Sequence, residues 1–199
     1  MGKRGFTLIE LLMVIGLLSI LSAVAVPYLF SGPSGVSVPA MAKKIKNDVY
    51  YAQSLAMRGY NLDTPTTVNP AFRFRIRFNT PDANCAGTNQ YAIVSDVDNN
   101  GTWGENPNSS AVVESARNPV NGNPYFCVQL DPNTGDYSGF TVSANFGGTA
   151  PGVLEFDNMG IPYNSDGVKL STAGTVVVSK GGTSSTVSVT KNTGMVTVQ

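Results

Sequence analysis

From Phe6 to Val26 the chain is apolar at nearly every position: of these 21 residues only Glu10 can carry a charge. A helix of that length rises about 31 Å, the thickness of a bilayer's hydrocarbon core, so the run predicts a membrane-crossing helix. Lys3 and Arg4 precede it and by the positive-inside rule stay in the cytoplasm, which puts the rest of the chain outside. Pro27 removes a helical hydrogen bond and predicts a kink, and Ser31–Pro39, with two glycines and two prolines, predicts a break. A second helical pattern runs from Ala40 to Arg58. Met41, Ile45, Val49, Ala52 and Leu55 or Ala56 recur every three or four residues, while Lys43, Lys44, Lys46, Asp48 and Gln53 fall mostly elsewhere. Pro39 suits its first turn and Gly59 its C-terminal cap. The lysines read as a solvated face, with an acidic lipid or a neighbouring subunit as the alternative contact.

Beyond Gly59 the period drops to two. Strands are predicted at Phe72–Phe78, Tyr91–Ser95, Ala111–Ser115, Tyr125–Leu130, Gly139–Ser143, Val153–Phe156, Thr175–Ser179, Thr186–Thr190 and Met195–Val198. No second helix intervenes among them, so the strands should pair antiparallel with one face over the 40–58 helix. The fold class is therefore α+β: an apolar helix over 6–30, kinked or broken between Pro27 and Pro39, an amphipathic helix, and a β-rich globular domain over 40–199.

Composition changes the picture in three ways. The 13 basic and 13 acidic side chains balance, and loss of Lys3 and Arg4 with a leader would leave 11 against 13, so charge points neither to nucleic acid nor to an anionic surface as a partner. Histidine is absent, which excludes triads and zinc sites built on imidazole. Cys85 and Cys127 match no metal spacing; outside the cytoplasm they would most simply form one disulfide, the alternative being two free thiols.

Glu10 needs a reason. A plain anchor gives it none, and neither does a secretory signal cut after Ala25, since a carboxylate only weakens insertion. A cut between Gly5 and Phe6 supplies one: the new Phe6 amine of one subunit could meet Glu10 of the next when identical helices stack with a small offset. These residues also carry a resemblance. "GFTLIELLMVIGLLSIL" resembles the leader junction and N-terminal helix of type IV pilins and type II secretion pseudopilins. The resemblance implies processing after Gly5 by a prepilin peptidase, methylation of the Phe6 amine, passage through the inner membrane with an assembly platform, and a pilin-like fold built into a periplasmic or surface fibre with other subunits. Residues 1–5 would be the leader, 6–30 the assembly helix and 31–39 the break, with Pro27 at a familiar kink position.

The C-terminal stretch "VLEFDNMGIPYNSDG" and the hairpin with its Thr193-Gly194 turn are similar to GspH/FimT-type pseudopilins and minor pilins. Many of these carry an arginine directly after that Thr-Gly; here Met195 stands there, which weakens any DNA role.

Two further patterns could carry chemistry. Arg73, Arg75 and Arg77 alternate along one strand at about 6.6 Å, a stripe able to contact DNA, a subunit neighbour, or carboxylates on the next strand. Asp96, Asp98 and Asn100, followed by Gly101, have the rhythm of a calcium loop, with Thr102 and Glu105 as further ligands; yet Pro107 stands where the pattern wants glutamate, and an Asx-rich hairpin tip is the alternative. No catalytic constellation is legible, so the expectation is a structural subunit and not an enzyme. A DNA-binding competence-type minor pilin and a soluble secreted protein cut after Ala25 are the other readings.

Overall fold

Thr7 starts the first helix: the N–H of Glu10 donates to the Thr7 carbonyl (3.1 Å) and that of Leu11 follows (3.2 Å). The computed structural model describes residues 7–30, 36–58, 74–81, 84–85, 87–96, 101–104, 114–130 and 137–199, and for 23–30 the backbone alone. The chain divides into two compact units, Met1–Gly35 and Val36–Gln199. The first unit holds α1, Leu8–Phe30. This helix passes through Pro27, where the sequence predicted a kink. Pro27 stands one turn from the helix end, and its missing N–H leaves the turn that begins at Ala23 without one helical hydrogen bond.

The second unit opens with α2, Val38–Met57. Ser37 caps it, its Oγ accepting the Ala40 N–H at 3.4 Å, and Pro39 lies in the first turn. The cap explains why the helix begins two residues before the predicted start, inside the stretch read as a break; 31–35 lie outside the described residues, as does Gly59, and Arg58 is the C-cap. Val38, Met41, Ala42, Ile45, Val49, Ala52 and Ala56 form its buried stripe.

That stripe spans two antiparallel sheets, where the sequence reading gave one array. β1 (Phe74–Phe78), β2 (Gln90–Val94), β3 (Cys127–Gln129), β5 (Val153–Phe156) and β6 (Pro162–Tyr163) make a sheet of order β3-β2-β1-β5-β6. β4 (Thr141–Asn145), β7 (Gly174–Lys180), β8 (Thr183–Val189) and β9 (Val196–Val198) make the other, of order β4-β7-β8-β9. β6 was not anticipated; it follows the Gly160 turn, which Asp157 knits by accepting the N–H groups of Met159 (2.9 Å) and Ile161 (2.8 Å) and the Tyr163 hydroxyl (3.0 Å). The predicted strand Ala111–Ser115 falls largely outside the described residues, and Ser115 makes only an isolated bridge to Val94. Asn79 joins the sheets: at φ 56° its Nδ2 donates to the Val142 carbonyl at 2.7 Å.

α2 also fastens the last strand. The Tyr50 hydroxyl donates to the Val196 carbonyl (3.2 Å) and accepts its N–H (3.1 Å), closing an edge that would otherwise offer pairing groups to another chain. Gln53 Nε2 donates to Gly160 O (2.8 Å) and Thr193 O (3.0 Å). Gly194, at φ +64°, sits beneath this clamp, and an added Cβ would lie 2.6 Å from Gln53 Nε2 and 3.0 Å from Gly160 O. Asp48 is the one acid on the buried face. It accepts Lys44 Nζ at 2.8 Å and the Tyr91 hydroxyl at 2.5 Å. Burial pushes its carboxyl above the usual range, outweighing the lowering effect of Lys44 and of both hydrogen bonds; burial and the Asp48 charge push Tyr91 well up.

Two outcomes are expected. Gly194→Ala should cost about 1–3 kcal/mol in urea unfolding through positive-φ strain plus the clash with Gln53, whereas Gly182→Ala, at φ +80° with open space around it, should cost only the strain of about 1 kcal/mol. Because Asp48 binds its proton more tightly folded than unfolded, its contribution is complete below the unfolded value of 3.8 and is lost as pH rises through the higher folded value. The stability of the native chain relative to Asp48→Asn should therefore decline over that window and then level off. Asp166, held low by hydrogen bonds from Thr149, acts in the opposite sense and cancels in this comparison.

Candidate functional site

The arginine stripe of β1 lies on the face of its sheet turned away from α2. Arg75 Nε meets Glu155 Oε2 at 2.5 Å, across the register that pairs the two residues, and Glu155 is only 1% exposed. The Arg75 guanidinium also lies 3.7 Å from the Trp103 ring centroid. Trp103 in turn packs on Cys85, Ala92 and Val94 beside Cys127, a small second cluster across the sheet from α2. A disulfide joins Cys85 to Cys127, with Cα atoms 5.4 Å apart, and ties the loop before β2 to β3. β2 is consequently buried at all five positions. Arg75 is thus paired and stacked inside the domain rather than presented to solvent, the carboxylate-on-the-next-strand alternative. Arg77 shares its face, and Arg73 lies outside the described residues.

The acidic loop is described in part. Asp96 is buried and its Oδ2 accepts the Gly101 N–H at 3.0 Å, with Gly101 at φ +87°, an Asx-type closure. Thr102 is exposed; Asp98, Asn100 and Glu105 lie outside the described residues. Among the described residues no group of three or more His, Cys, Asp or Glu side chains is disposed to hold a metal ion.

The N-terminal unit is of another kind. Eleven large apolar side chains between Leu8 and Leu21 are exposed, up to 77% at Leu8, and they surround the helix instead of forming a stripe. Ser19 donates its hydroxyl to Gly16 O at 2.7 Å, so it brings no unmet polar group to this surface, and Gly16 opens a flat spot with no atom within 4 Å of an added Cβ. Glu10 is the third helical residue, and Thr7 Oγ1 accepts its N–H at 3.4 Å. Among the described residues its carboxylate has no partner. No helix, searched over the described residues, is long and apolar enough to cross a membrane; side chains of α1 are described only as far as Ser22.

Residues 1–26 match the prokaryotic N-terminal methylation motif. The match, over the first 26 residues, points to a type IV pilin-like, prepilin-processed chain of a structural-subunit family that assembles with other pilin subunits. No curated protein and no solved structure gave a significant match.

The motif encompasses Gly5, Phe6 and Glu10, of which only Glu10 is described. Sequence reasoning missed that Thr7-Leu8-Ile9-Glu10 has the capping-box spacing, which was there to be read as Thr-x-x-Glu. Glu10 therefore has a local attraction to the helix N-terminus of about 0.3–1 kcal/mol besides any intermolecular one. In the globular unit, Arg75→Ala should destabilise by about 1–3 kcal/mol, because it removes the Arg75 ion pair from a buried carboxylate. Trp103, the sole tryptophan, should report the change as a red-shifted emission, and Arg75→Lys should fall between the two.

Proposed function

We propose that the chain is a minor pilin or GspH-like pseudopilin, cut between Gly5 and Phe6 by a prepilin peptidase, held by α1 in the inner membrane, and then drawn into a pilus or pseudopilus. The observation that carries this reading is Glu10: a carboxylate without a partner among the described residues, in the first turn of a helix apolar on every side. Hydrolysis of the Gly5–Phe6 bond would create an ammonium four residues before it. In a stack of identical helices offset by about one turn, the Phe6 amine of one subunit and Glu10 of its neighbour satisfy each other in low dielectric, and the apolar sides bury against one another. The β-rich unit, whose core is complete without α1, is then free to face outward. Arg75 is engaged within its sheet, so no observation favours the DNA-capturing reading.

The mature N-terminus decides first: intact-mass measurement should find a chain beginning at a methylated Phe6, and a chain beginning at Val26 would refute the fibre. Glu10→Ala should fold normally but enter sheared fibres at least tenfold less than the native chain. Glu10→Gln separates the two roles of this residue, since glutamine keeps the Thr-x-x-Glu/Gln spacing and side-chain length but carries no charge. It should fail like alanine; normal incorporation would reduce Glu10 to a cap.

A further inference from the structure

Assembly through α1 gives no task to the lysines at the start of α2. Lys44 turns inward to Asp48, 2.8 Å away, and its Nζ lies 5.3 to 6.0 Å from the ring centroids of Tyr137, Phe126 and Tyr91. Lys43 is exposed, and Lys46 is half-buried with its Nζ 5.8 Å from the centroid of Tyr50, so neither is drawn into that cluster. Pro39, Lys43 and Lys46 stand at helical spacings of four and three, on one face. The other exposed positions here, Ser37, Ala40 and Asn47, are uncharged, and the one acid of α2, Asp48, is buried and committed. The positive end of the helix dipole lies at the same end, with no acid in the first turn to offset it. Among the described residues of α2 this face carries two ammonium groups and no acid, and its other exposed side chains are small.

The chain connection says which surface. Phe30 ends α1 and Val38 begins α2, so even a fully extended link holds them within about 30 Å of each other. If α1 is seated in a bilayer, the first turns of α2 are tethered within reach of its headgroups, and a tether converts weak attraction into occupancy.

We propose that, before assembly, Lys43 and Lys46 dock the start of α2 on anionic phospholipid headgroups of the membrane that holds α1. This rests on the membrane-anchored stage of the assembly reading. Each ammonium near such a surface strengthens binding about fivefold. Extraction of α1 into a fibre would break the contact, so the lysines act as a releasable parking brake on the unassembled subunit.

The test uses the full chain reconstituted into vesicles of phosphatidylcholine alone or with phosphatidylglycerol added. Lysine acylation is mapped by mass spectrometry, with the exposed Lys169 and Lys191 as references. Labelling of Lys43 and Lys46 should fall several-fold relative to those references in the anionic vesicles and recover in high salt. Equal labelling in both vesicles overturns the proposal, as does protection that follows subunit density in neutral lipid, which would assign the lysines to a neighbouring copy. Failure of the chain to float with either vesicle would overturn the anchoring reading itself, and this proposal with it; flotation with equal labelling overturns this proposal alone.

Discussion

A single carboxylate on a helix with no polar face constrains everything else about the N-terminal unit. Burying eleven large side chains at about 1.5–3 kcal/mol each favours an apolar surrounding by on the order of 20 kcal/mol, before any ordering cost. Against this, an ionised Glu near one end of a span opposes insertion by a few kcal/mol. The balance therefore favours an apolar surrounding over water despite Glu10. Attraction to the helix N-terminus recovers about 1 kcal/mol at most, too little to offset the loss of hydration. A full counter-charge can offset it, and a freed amine one turn away is the nearest candidate in the sequence.

The core of the globular unit is built from its own residues, Val38 to Val196. α2 acts as the spine: its buried stripe touches β1 and β5 of one sheet and β7, β8 and β9 of the other. Two of its side chains then close the far end of the chain, Tyr50 by satisfying both backbone groups of Val196, and Gln53 by bridging the carbonyls of two separate turns. Asp48 runs the other way. Its burial costs stability at neutral pH, since dehydration outweighs Lys44 and the Tyr91 hydrogen bond, but it fixes the helix to β2 in one rotation.

Elements with strong local signals were legible. The stripe at Met41, Ile45, Val49 and Ala52 follows from the period alone, and β5 lies at Val153–Phe156 as the alternation and flanking turns required. What could not be read was long-range. Division into two sheets depends on long-range pairings such as Arg75 with Glu155, and Asn79, which joins the sheets, looks in sequence like any turn asparagine. β6 is two residues long and begins with proline, beneath the reach of a periodic pattern. The start of α2 was misplaced because Gly and Pro density outweighed a serine cap in the reading, whereas Pro39 at the first turn and Ser37 at the cap are both helix-starting signals.

The arginine stripe marks the limit of alternation as evidence. Period two reveals that Arg75 and Arg77 share a face but is silent on whether water or protein lies over it. Here protein does, because the disulfide holds a loop against β3 and Trp103 closes over the guanidinium. Arginine suits that position: its planar, weakly hydrated group can stack on a ring with one face and bond a carboxylate at its edge, which an ammonium cannot. Arg75 is thus committed within its sheet, and the lysines at the start of α2, Lys43 and Lys46, end in flexible, strongly hydrated ammonium groups. Such groups suit the loose, releasable contact proposed for them.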